Sequence, residues 1–149
     1  MKMPGLGVFL RQGETTMRAW ALAVLVALLA CVALAANQAP TNASVPKYDK
    51  ATEIKLNGSV VDVRDYNCPI SGTMGAHLTL KVQDGSTIEL HLAATKYVKS
   101  YEMVFNKGDE IEVTGSKVKF NGADTILVRE ITRGQDSFVF RDEKGKPVW

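Results

Sequence analysis

The stretch from Ala76 to Ala93, AHLTLKVQDGSTIELHLA, limits what this chain can fold into more than any other. Leu78, Leu80 and Val82 alternate with His77, Thr79 and Lys81; after Asp84-Gly85, Ile88, Leu90 and Leu92 alternate with Thr87, Glu89 and His91. A period of two sends successive side chains to opposite faces of a pleated strand. Two such runs around an Asp-Gly predict a β-hairpin. One face of that hairpin must be covered, so the rest of the domain has to supply more sheet.

It does. In EIKLNGSVVDVRD, Ile54, Leu56, Gly58 and Val60 share one face while Val61 and Val63 take the other, and a phase change beside a glycine predicts a bulged, bent strand. EIEVTGSKVKFNGADTILVREI reads as two strands around Asn121-Gly122, and SFVFRDEKGKPVW as a closing hairpin. Only ATKYVKSYEMVF leaves the period of two: Tyr97, Val98, Tyr101, Val104 and Phe105 fall at helical spacing, predicting a helix from Thr95 to Phe105 that Gly108 stops. The predicted core holds Leu78, Leu80, Ile88, Leu90, Ile111 and Val113. The predicted fold class is all-β with one helix: a five-stranded OB-fold-like barrel plus a C-terminal β-hairpin. In such a barrel the helix between strands three and four covers the bottom. The runs LNGSVVDV, GAHLTLKVQDGSTIELHLA, KGDEIEVTGSKVKFNGADTILVREI and FVFRDEKGKPVW resemble small exported bacterial OB-fold proteins, most of which have no assigned activity. The resemblance covers about residues 54 to 149. It rests on turn glycines and core alternation, so it implies a fold and says almost nothing about chemistry.

Residues 1–36 are expected to lie outside that fold. Ala19 to Ala36 is an uninterrupted apolar run behind Arg18 and ahead of the polar NQAPTNASVP, the layout of a signal peptide cut near Ala35 or Ala36. The competing readings are a retained membrane anchor and a lipobox, Leu28-Leu29-Ala30-Cys31, with Cys31 lipidated. Residues 37–50, rich in Ala, Pro, Thr, Asn and Ser, form a flexible linker, and 51–149 form one OB-fold-like domain. The expected location is periplasmic or secreted, with membrane contact only through an uncleaved leader or a lipidated Cys31.

Loss of the leader removes Lys2, Arg11, Arg18 and Glu14, taking the basic residues from 18 to 15 and the acidic ones from 16 to 15. Nucleic-acid binders draw most of their affinity from phosphate neutralisation, and a chain of zero net charge has no basic excess to spend on it. The outward residues of the predicted hairpin, His, Thr, Lys, Thr, Glu and His, also lack the aromatic platforms on which single strands stack. Nucleic acid is therefore excluded as a partner; a small ligand or a protein of the cell envelope is expected instead.

Cleavage leaves Cys68 as the sole thiol, so no internal disulfide can form. Cys68 falls in a predicted loop, Asp65 to Gly75, between strands one and two, on the side where barrels of this type bind ligands. A turn centred on Gly85 pairs Lys81 with Glu89, Thr79 with His91 and His77 with Ala93. His77 and His91 then sit diagonally on the outward face, about 7–8 Å apart. The candidate ligand-binding residues are Cys68, His77, Thr79 and His91. Of these, Cys68, His77 and His91 form a soft nitrogen and sulfur set suited to copper or zinc, with Met74 or Met103 as further donors. The plain alternative is two surface histidines and a packed thiol. A third reading is a thiol enzyme with Cys68 as nucleophile and a histidine base, although no orienting third group or oxyanion hole is visible. The leading functional expectation is a non-enzymatic exported binding module, with the metal-binding protein and the thiol enzyme as alternatives.

Overall fold

The computed structural model describes residues 44–149; the expected leader and most of the linker lie outside the described residues. After a short 3-10 turn at Lys50–Thr52, the chain forms β1 (Glu53–Cys68), β2 (Thr73–Val82), β3 (Thr87–Ala94), α1 (Thr95–Ser100), β4 (Glu110–Phe120), β5 (Ala123–Arg133) and β6 (Asp136–Val139). The strands make one sheet in the order β3-β2-β1-β4-β5-β6, and a parallel pairing of β3 with β5 bonds the sheet into a ring. Among the described residues the expected all-β, barrel-like class with one helix is thus what forms.

β1 is long because it serves two neighbours. Glu53 to Ser59 pair with β4, and Gly58 to Cys68 pair with β2. Between Val60 and Asp62 the β1–β2 ladder shifts register. Val61 is the extra residue, and the shift carries Val60 into the core while Val61 and Val63 stay exposed. The core joins Val60, Leu78, Leu80, Leu90, Ile111, Val113, Ile126, Val128, Ile131 and Phe140, with Ile54, Leu56 and Ile88 packed against it half-buried. The closing hairpin is minimal: an Arg141–Pro147 bridge, with Asp142 and Lys146 joined by a backbone hydrogen bond.

Two expectations need correcting. The β2–β3 register is not the one centred on Gly85: His77 lies opposite His91, Thr79 opposite Glu89 and Lys81 opposite Thr87. The turn chemistry explains this. The Gly85 amide donates to the Val82 carbonyl, the Val82 amide donates to the Ser86 carbonyl, and Gly85 has φ 84°. This is a three-residue loop, Gln83-Asp84-Gly85, closed by glycine in the left-handed region. It moves the centre back to Asp84 while keeping every leucine on its expected face.

The helix also ends early, at Ser100 rather than Phe105. Glu102 adopts φ 51°; its amide donates to the Lys99 carbonyl and that of Met103 to the Val98 carbonyl. This pair of bonds is a Schellman cap, in which an αL residue satisfies the last helical carbonyls. Gly108, the expected stop, lies well beyond it.

Candidate metal centre

Cys68 is not in a loop. It is the last residue of β1, 3% exposed, and the chain turns into β2 through Pro69–Gly72 alone. The Gly72 amide and the Ser71 hydroxyl both donate to the Cys68 carbonyl. Alternation along β1 puts Arg64, Tyr66 and Cys68 on one face. Across the ladder Arg64 faces His77, Tyr66 faces Gly75 and Cys68 faces Thr73. His77 in turn faces His91 on β3. Both histidines lie between core residues in sequence, so their rings leave the sheet on the side away from the barrel core.

That side was expected to face solvent, and for the histidines it does not. His77 is 2% exposed and His91 fully buried. The Tyr66 ring stacks on His77 at 3.8 Å and 11°, its hydroxyl held by Glu89. Trp149 is tilted against His91 with ring centroids 6.5 Å apart. The two imidazoles meet edge to face, 4.8 Å apart. Gly75 has no side chain for a steric reason: a Cβ there would meet the His77 Cε1 and the Ser71 Oγ at 2.9 Å and the Cys68 Cβ at 3.2 Å.

One donor atom each from Cys68, His77 and His91 lie within 4.8 Å of one another. His77 Nδ1 is 2.9 Å from the Gly75 carbonyl. A carbonyl only accepts, so Nδ1 carries the proton and Nε2 presents its lone pair, the arrangement that orients metal-binding histidines. His77 Nε2 and both ring nitrogens of His91 are buried with no hydrogen-bond partner. Burial pushes the His77 pKa below its usual value, against the opposing pull of Glu89. It pushes His91 down to about 3, helped by His77 and by the Arg141 charge. Both rings are neutral at physiological pH, the form that coordinates.

Thr79 does not join them. It is half-buried opposite Glu89, with its hydroxyl 3.5 Å from Arg64 Nη2. Met74 is exposed, and Met103 packs against the barrel core. The site residues that sequence reasoning missed are Tyr66, Gly75, Glu89, Arg141 and Trp149. Tyr66 carried a signal, since it shares the alternation phase of Cys68; Trp149 reaches the site only through the final turn and carried none.

No match to the chain is found among curated proteins. Residues 52–138, a span containing Cys68, His77 and His91, match the model of the MamS/MamX magnetosome protein family over more than half of the sequence, and the chain belongs to that family.

Proposed function

We propose that the protein is a non-enzymatic binding module of its magnetosome family that holds one soft metal ion between Cys68, His77 and His91. The observation that carries this reading is the set of three buried, partnerless imidazole nitrogens beside a buried thiol. Each unsatisfied buried polar group costs about 1–3 kcal/mol. Three together cost a large share of the roughly 5–15 kcal/mol that stabilises a domain. A bound cation turns that cost into coordination. Ligand atoms around one ion lie about 3.3–3.8 Å apart, so the group need tighten by only about 1 Å to close on one.

Charge favours Cu(I) over Zn(II). A thiolate and two neutral imidazoles cancel a monovalent ion and leave one positive charge with a divalent one, in a buried place that already feels Arg141. Zinc also takes a fourth ligand, and among the described residues the group of metal-binding side chains stops at three. Thiol catalysis is poorly supported: a general base needs a pKa near the working pH, and the base nearest the core titrates near 3. Among the described residues no carboxylate is hydrogen-bonded to either ring; the His77 Nδ1 proton goes to a backbone carbonyl.

The wider reading is an exported OB-type module of the periplasm or the medium, meeting a small ligand or an envelope protein. It draws on the strand ring with its helix between β3 and β4 and on the apolar run from Ala19 to Ala36. Anaerobic titration with Cu(I) and Zn(II) tests the site. One Cu(I) per chain should bind more tightly than about 1 μM, and Cys68→Ser or His91→Ala should each weaken it by at least about 100-fold. Weaker binding, or binding that neither substitution changes, would reduce Cys68 to a packing residue.

A further inference from the structure

Arg141 follows β6 and is 3% exposed. Its guanidinium lies 4.7 Å from the centroid of the Trp149 ring and 5.8 Å from that of Tyr48. Nη1 donates to the carbonyls of Leu92 and Val128, tying the C-terminal segment to β3 and β5. Arg129 is paired with Glu53 and Arg133 with Asp109, whereas among the described residues Arg141 makes no ion pair, and its Nε and Nη2 donate to no side chain or backbone carbonyl. Burial lowers its pKa only to about 10, so it remains a cation at neutral pH. A buried charge without a partner costs several kcal/mol.

Arg141 lines an open pocket of about 410 Å³ whose wall also includes Lys47, Lys144, Lys146, Tyr48 and Ile70. The lining carries four cationic side chains and no acidic one. The nearest carboxylate in sequence, Asp142, is occupied in accepting the backbone amides of Lys144 and Lys146, which bends the turn so that both lysines flank the pocket. A planar guanidinium with an unused N–H edge matches the oxygen pair of a phosphate or carboxylate, and the volume is that of an ordinary small-ligand site.

We propose that this pocket binds a small phosphate-bearing anion, seated on the free edge of Arg141 with Lys144 and Lys146 closing over it. The proposal does not require the metal centre to be filled, although Arg141 acts electrostatically on His91, and it gives the buried guanidinium its counter-charge. The phosphate can belong to a soluble molecule or to a lipid headgroup, and the experiment separates them. Calorimetric titration of the metal-free full chain with orthophosphate and pyrophosphate should give saturable one-to-one binding with Kd below about 1 mM. Lys144→Ala/Lys146→Ala, a change at the exposed rim that should leave melting unaltered, should weaken it at least about tenfold, whereas Lys117→Ala/Lys119→Ala on β4 should not. In parallel, vesicles of phosphatidylglycerol and of phosphatidylcholine are compared. A preference for phosphatidylglycerol that vanishes in Lys144→Ala/Lys146→Ala, without binding of soluble phosphate, assigns the headgroup. No saturable binding to either source, or equal weakening by both lysine pairs, overturns the proposal.

Discussion

A buried imidazole can be useful only while it is neutral, and His91 illustrates the consequence. Its unfolded value is 6.5 and its folded value about 3, because burial, His77 and Arg141 all oppose protonation, and only a backbone hydrogen bond at His91 itself favours it. Between those two values the unfolded chain binds the proton more tightly than the folded one, so stability is complete above pH 6.5 and falls as the pH drops toward 3. At 1.36 kcal/mol per pH unit, the metal-free protein should lose about 2 kcal/mol between pH 6.5 and pH 5 from His91 alone, with His77 adding in the same direction. Urea midpoints at the two pH values check this, and an unchanged midpoint would mean that His91 reaches water. That His77 and His91 share a face was legible in the alternation of two strands, whereas Cys68 was expected in a loop and instead ends β1. The burial of the histidines was not legible, because it depends on Tyr66 reaching across from β1 and on Trp149 arriving from the far end of the chain. No local pattern encodes contacts of that range.

At the scale of elements, side-chain parity was legible and turn geometry was not. The leucines of β2 and β3 demand an even register sum, but parity admits several pairings. The left-handed Gly85 closing a three-residue loop selects among them. It thereby sets His77 directly opposite His91 in the ladder instead of diagonal to it. Gly85→Ala should therefore cost about 1 kcal/mol, with a measurable effect on the metal centre, since a relaxed turn loosens the register that holds the rings together. The helix shows the opposite error. A run of well-spaced apolar residues promised three turns, yet Glu102 took the αL position after two, where a residue with a Cβ is strained. Glu102→Gly should raise stability by about 0.5–1 kcal/mol by removing that strain. Thermal melting of the two variants should move in opposite directions, and a destabilised Glu102→Gly would show that the carboxylate has a role beyond its backbone.

On the scale of the whole molecule, two clusters share one sheet. The inner face carries the apolar core that closes the ring, with Leu80 and Leu90 completely buried. The other face carries the polar group of Cys68, His77 and His91 beneath Tyr66 and Trp149. Leu80→Ala should cost about 2–5 kcal/mol, the transfer and cavity terms together, whether or not metal is present. The polar cluster contributes conditionally. A ligand that binds only the folded chain stabilises it by RT ln(1 + [L]/Kd), about 2.7 kcal/mol at a hundredfold excess over Kd. For a domain of about a hundred residues this raises the melting temperature by roughly 10 °C. The two contributions sit on opposite faces and share no partner, so they should add: Leu80→Ala should lower both the metal-free and the Cu(I)-loaded melting temperatures and keep the gap between them. Cys68→Ser should instead leave the metal-free temperature nearly unchanged and abolish the gap. A gap that survives Cys68→Ser would place the ion elsewhere, and a gap that shrinks with Leu80→Ala would mean that the barrel core and the metal centre open as one unit.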